Sequence, residues 1–243
     1  MLPLSAADLA DKFEKTQFKN KEGQTLLYRF LKPAKIEAGK KYPLVLFLHG
    51  AGERGDDNTA QLVHGVKTFA TENFLEKYPC FVVAPQCPNE MKWSDIDWSV
   101  EKVVFPEKES PTAVLMMQCL DTLEKELPID TDREYVTGLS MGGYGSWDAI
   151  VRHPKRFAAA VPVCGGCDVS KAKIIAQIPV WTFHGDQDFA VKVERSREIV
   201  EALKAVDGKP KYTEYPGVGH DSWNKAYADV AMYEWLFAQK RKS

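Results

Sequence analysis

The chain has 243 residues, of which 44% are hydrophobic and 27% charged, with a net charge of −2 at pH 7. That length and apolar content suit one globular α/β domain with a sizeable core, and the near-neutral charge argues against nucleic acid or an anionic membrane surface as partner. No apolar run approaches a membrane span, and Met1 to Phe13, carrying Asp8, Asp11 and Lys12, lacks the apolar segment of a signal peptide.

As given, the chain therefore reads as cytoplasmic, or as secreted or periplasmic if a leader has been removed. No linker composition divides it, so 1–243 is taken as a single domain with 1–16 as an N-terminal extension. Gln17 to Leu31 alternates loosely and reads as one or two strands turning at Glu22-Gly23-Gln24. Lys35 to Lys41 is a polar loop. Pro43-Leu44-Val45-Leu46-Phe47-Leu48 is continuously apolar, as a strand buried on both faces of a parallel sheet must be. It ends in His49-Gly50-Ala51-Gly52-Glu53-Arg54-Gly55, a loop whose backbone can approach a ligand closely.

Gln61 to Phe74 is expected to be a helix, and Cys80 to Pro85 another buried strand. Pro85 to Val104 is irregular and holds Trp93 and Trp98, which either wall a cleft or pack as a mini-core of the loop. Pro111 opens a helix to about Leu127, with Ala113, Met116, Met117, Leu120 and Leu123 at helical spacing. Asp130 to Glu134 is read as a loop entering the strand Tyr135 to Leu139. A helix follows to about Arg152, then a strand from Phe157 to Val163. The next strand, Pro179 to Phe183, runs into His184-Gly185-Asp186-Gln187-Asp188. A helix from about Val193 to Val206 and a strand from Tyr212 to Tyr215 lead to Pro216-Gly217-Val218-Gly219-His220, and a final helix covers about Lys225 to Gln239. Strands alternate with helices throughout, which predicts a doubly wound, mostly parallel sheet with helices on both faces.

Five cysteines, an odd number, fit a reducing compartment better than a disulfide framework. Cys164-Gly165-Gly166-Cys167 has C-x-x-C spacing but no second ligand pair, so the two are read as structural thiols, with a disulfide next and metal set aside.

The chemistry centres on Gly138-Leu139-Ser140-Met141-Gly142. In G-x-S-x-G the serine stands on a sharp strand-to-helix turn, with glycine where side chains would strike the neighbouring backbone. Ser140, Asp188 and His220 follow successive predicted strands, in the order nucleophile, acid, base, and at the strand ends where parallel sheets bind ligands. A serine hydroxyl needs a base, here His220, whose other nitrogen needs a carboxylate. Asp186 and Asp188 both stand near. Asp188, further along the turn, has the better reach, while Asp186 is placed to bond N–H groups of its own loop. Oxyanion donors are expected at the N–H of Met141 and of Ala51 or, second, Gly52. His64 and His153 are read as structural, and His49 and His184 as loop-shaping. Trp93, Trp98 and Trp223 are the candidate substrate-binding side chains.

The His49 to Gly55 loop, Ala84-Pro85-Gln86-Cys87-Pro88, Gly138 to Gly145 and His184 to Asp188 together resemble the α/β-hydrolase superfamily. Within it, the chain is similar to the bacterial carboxylesterase branch described as phospholipase/carboxylesterase or feruloyl-esterase-like, over about Gln17 to Phe237. The resemblance implies the α/β-hydrolase fold and serine esterase activity on a small-molecule ester, without metal or cofactor. In that branch the acid is the second aspartate of His-Gly-Asp-x-Asp, which supports Asp188. Relatives often carry Pro and Val after that aspartate, where this chain has Phe189-Ala190-Val191, so the pocket wall there differs. Cap domains usually follow the sixth strand, and Val169 to Gln177 is too short for a large one. An open cleft and short acyl chains are therefore expected. The leading expectation is a carboxylesterase; a feruloyl or acetyl esterase on plant cell-wall esters comes next, then a serine peptidase or a non-catalytic binding protein.

Overall fold

The computed structural model describes residues 5–241. The outermost residues of the expected extension and domain, 1–4 and 242–243, lie outside the described residues. Strands β1 (Glu14–Lys19), β2 (Thr25–Leu31), β3 (Tyr42–Leu48), β4 (Phe81–Pro85), β5 (Ile129–Leu139), β6 (Ala159–Val163), β7 (Trp181–Gly185) and β8 (Lys211–Tyr215) form one sheet in the order β1-β2-β4-β3-β5-β6-β7-β8. β2 pairs antiparallel with both β1 and β4, and every pairing from β4 to β8 is parallel.

Side chains alternate across each strand. Leu44, Leu46 and Leu48 of β3 therefore join one core, with α3 (Pro111–Glu126), α4 (Met141–Arg152) and α6 (Glu194–Lys204). Val45 and Phe47 join the opposite core, with α2 (Glu72–Lys77), α7 (Trp223–Ala226) and α8 (Val230–Phe237). Burial on both faces is why these strands read as unbroken apolar runs. Between β6 and β7 the chain makes only a 3₁₀ turn, Val169–Lys171, and α5 (Ala172–Ile175). No large cap is inserted there.

The expected extension is built into the fold: helix α1 (Ala6–Asp11) precedes β1, Phe13 is buried, and buried Arg29 donates from Nη2 to the Ala10 carbonyl at 2.7 Å. Three expectations about elements need correction. Gln61 to Phe74 is not one helix but two 3₁₀ turns, Ala60–Leu62 and Val66–Ala70, before α2. Gly65 interrupts it at φ +72, where a Cβ would collide with the ring of Tyr227. Asp130 to Glu134 is strand, because Ile129 already pairs with Tyr42 ahead of an irregularity in the β3–β5 register. The C-terminal helix is two, because Asp229 takes extended backbone and accepts the Ala231 N–H at 2.9 Å, capping α8.

Candidate active site

Ser140 ends β5 and caps α4 at φ +54 and ψ −117, a left-handed backbone that costs a non-glycine residue strain and raises its side chain above the sheet edge. Its N–H donates to the Val163 carbonyl at 3.0 Å, tying the turn to β6. The close approach is forced at Gly142, where a Cβ would overlap the carbonyl oxygen of Leu48. The Met141 N–H is the first of α4, and helix-leading N–H groups lack a partner within the helix.

Asp188 and His220 arrive on the loops after β7 and β8. Asp188 Oδ1 accepts the N–H groups of Ala190 at 2.9 Å and Val191 at 2.8 Å. Its Oδ2 lies 2.7 Å from His220 Nδ1 and 3.2 Å from His184 Nε2. Burial works against the charge on Asp188, but the hydrogen bonds from His184, His220 and the Val191 N–H outweigh it, and the carboxyl is held well below the usual range. An ionised carboxylate only accepts, so His220 Nδ1 must be its donor. That leaves the lone pair of His220 Nε2 toward Ser140 Oγ, 2.9 Å away. Asp186 instead accepts the Gly217 N–H at 2.7 Å and so braces the loop that carries His220.

His184 shapes its loop, as its position after β7 indicated, and also reaches the acid. It is buried, with Nδ1 2.7 Å from Ser196 Oγ and Nε2 2.8 Å from the Val191 carbonyl. The carbonyl requires a proton on Nε2, the same proton that faces Asp188.

The loop after β3 forms a 3₁₀ turn over Ala51–Glu53. It is held from beneath by His49, whose Nδ1 lies 2.6 Å from the Gly50 carbonyl while Nε2 accepts the Cys87 N–H at 3.0 Å. Accepting at Nε2 while donating at Nδ1 needs a neutral ring, and burial pushes its pKa down to about 4. Arg54 Nε donates to the Ala51 carbonyl at 2.9 Å. Further back, the Asn58 N–H donates to Gln86 Oε1 at 2.7 Å and Gln61 Nε2 to Asn58 Oδ1 at 2.6 Å. Sequence reasoning assigned no role to this buried polar network. Its available signal was Gln86, a polar residue directly after a buried strand.

The tryptophans separate. Trp93 is no cleft wall: it is 1% exposed, donates from Nε1 to the His49 carbonyl at 3.0 Å, and stacks edge-on against the His49 ring. Buried hydrophobic area and a satisfied indole N–H make it part of the mini-core under the loop. Trp98 is 40% exposed and borders a surface cleft. Trp223 stands edge-on to His220 with ring centres 5.2 Å apart, and is also 5.2 Å from His64. His64 is not in a helix but in the turn region before Val66, 3.6 Å from Glu53 Oε1. His153 caps the end of α4 and contacts Glu109 at 2.9 Å.

All five cysteines are free and buried. Cys164, at φ +40 after β6, lies beneath the site: its sulfur, an Asp188 oxygen and a His220 nitrogen fall within 4.8 Å of one another. Those atom types could hold a metal. Two of them, however, are already bonded to each other, and burial raises the thiol so that it stays protonated.

The strand order, the single antiparallel β2 within the run and the strained serine turn define an α/β-hydrolase fold. Residues 34–234 match the family described as Phospholipase/Carboxylesterase, and the chain belongs to that family of ester hydrolases. A solved thermostable esterase is 43% identical with a TM-score of 0.89, covering 96% of this chain and 64% of its own. The bifunctional acetylxylan esterase/xylanase XynS20E of Neocallimastix patriciarum is 24% identical over 198 residues, which is 79% of this chain and 26% of that protein. Acyl-protein thioesterase 1 of Neurospora crassa is 25% identical over 211 residues, 73% of this chain and 80% of that protein. The chain thus spans about a quarter of the fungal acetylxylan esterase/xylanase and under two thirds of the thermostable esterase.

Proposed function

We propose that this chain is a serine carboxylesterase that hydrolyses short-chain carboxylic esters through an acyl-enzyme. The observation that carries the reading is the continuous contact from Asp188 to His220 at 2.7 Å and from His220 to Ser140 at 2.9 Å. His220 Nε2 takes the Ser140 proton as Oγ attacks the ester carbonyl, and Asp188 holds the imidazolium that results. The oxyanion is met by the N–H of Met141 and the N–H of Ala51 or Gly52. His220 returns the proton to the departing alcohol, and a water then repeats the sequence to release the acid. The described residues are read as one domain built on one sheet.

A second reading is a feruloyl or acetyl esterase on plant cell-wall polysaccharide. It draws on the acetylxylan esterase among the relatives. Both readings use the same chemistry and differ in substrate.

The test is hydrolysis of p-nitrophenyl acetate, butyrate and octanoate beside methyl ferulate, with Ser140→Ala as control. Turnover should be greatest on the short esters and fall on the order of 10³-fold or more in the variant. A fluorophosphonate should label Ser140. Labelling of another serine, or full activity in the variant, would overturn the assignment.

A further inference from the structure

Phe189, the residue after the acid of the site, is 90% exposed. Its neighbours explain its orientation: the Ala190 and Val191 N–H groups are both committed to Asp188 Oδ1, which turns the backbone tightly and leaves Phe189 at the outside of the bend. One exposed apolar side chain is ordinary, but Phe189, Trp98 and Val100 are all exposed and line the same cleft, and a contiguous apolar patch of that kind marks a binding surface. Across from it stands Trp98, with the Lys92 ammonium 4.4 Å from its ring centre. Between them lies a cleft of about 690 Å³. Tyr144, one turn along α4 from Ser140, also lines it.

The remaining lining decides what the cleft suits. Glu101, Glu194 and Glu198 stand against Lys192 and Arg195, so both signs of charge surround it with one carboxylate in excess, which disfavours an anionic group. An alkyl chain would leave these groups facing hydrocarbon, at a desolvation penalty. A neutral, polyhydroxylated ring meets both demands: its C–H faces cover the aromatic rings, and its hydroxyls bond the charged and phenolic groups. The wall is also braced, because Arg195 donates from both terminal nitrogens to the carbonyls of Val100 and Glu101. Its position follows the reaction. His220 must hand its proton to the departing alcohol, so the alcohol leaves on the side of His220 and of the Asp188 loop that carries Phe189.

Resting on the ester-hydrolase reading above, we propose that the Phe189–Trp98 cleft is a subsite for a neutral sugar forming the alcohol part of the ester, with Phe189 and Trp98 as its stacking platform and Tyr144 as a donor at its inner end.

The experiment compares kcat/KM for acetylated xylotetraose and for p-nitrophenyl acetate in the wild type, Phe189→Ala, Trp98→Ala and the aromatic replacement Phe189→Tyr. Binding of unsubstituted xylotetraose to the same proteins is measured by calorimetry. Each alanine variant should lose about tenfold in kcat/KM on the sugar ester, mainly through KM. In Phe189→Ala activity on p-nitrophenyl acetate should stay within about twofold, and Phe189→Tyr should retain sugar-ester activity. Equal loss on both substrates, or no loss on either, would overturn the subsite. If the wild type fails to hydrolyse p-nitrophenyl acetate, the ester-hydrolase reading falls, and calorimetry still decides the subsite: binding that Phe189→Ala abolishes supports it, and absence of binding refutes it.

Discussion

Asp188 Oδ2 lies 2.7 Å from His220 Nδ1, bridging the loops after β7 and β8, while Asp186, two residues earlier, turns back to the N–H of Gly217. Two carboxylates on one loop thus have different tasks. Asp188→Asn should lower kcat on the order of 10³- to 10⁴-fold, since an amide no longer enforces the proton on Nδ1. Asp186→Asn keeps an acceptor for Gly217 and should cost roughly 1–2 kcal/mol or less, seen as a lower melting temperature with most activity retained. Steady-state kinetics on folded variants checks this, and a larger kcat loss for Asp186→Asn would reverse the assignment.

The serine turn is packed without slack. A Cβ on Gly142 would strike the Leu48 carbonyl, whereas one on Gly52 meets nothing within 4 Å. Gly142→Ala should therefore destabilise by at least about 3 kcal/mol or prevent folding. Gly52→Ala should stay within about 1 kcal/mol. Urea unfolding of the two variants checks the contrast, and comparable stability in both would refute it.

His49 links acidity to the loop that carries Ala51 and Gly52. Burial lowers its pKa from 6.5 to about 4 in the folded protein. Between those values the unfolded chain binds a proton that the folded chain does not. Stability is therefore present in full above about pH 6.5 and is lost as pH falls toward 4. The loss from this residue should be about 3 kcal/mol between pH 7 and 4. His49→Gln, which does not titrate, removes that component. The stability gap between wild type and variant should narrow by that amount as pH falls, and a gap independent of pH would show that His49 is not the linked group.

Trp93 and Trp98 sit five residues apart in one loop but bear different loads. Trp93 is buried and bonded to the His49 carbonyl, and Trp98 faces solvent. Trp93→Ala should cost about 3–5 kcal/mol. Trp98→Ala should change stability by about 0.5 kcal/mol or less. Equal costs in denaturant titrations would mean that the two share one environment.

Local chemistry made much of this protein legible before any coordinates. Leu44 to Leu48 carried the unbroken apolar run of a strand covered on both sides, and Gly138, Ser140 and Gly142 the spacing of a turn too tight for side chains at the flanking positions. The order Ser140, Asp188, His220 along alternating strands and helices placed the three at one edge of one sheet, because parallel strands all end on the same side. What the chain could not reveal locally depended on partners distant in sequence. The break at Gly65 needs Tyr227, and the strand character of Asp130 to Glu134 needs Tyr42. The burial of Trp93 needs His49, and the reach of His184 to Asp188 needs the exact path of the loop after β7. Propensity and spacing describe a residue with its neighbours in sequence, and reach along one turn was enough to favour Asp188 over Asp186; which side chain faces solvent is decided by contacts made only when strands from opposite ends of the chain lie side by side.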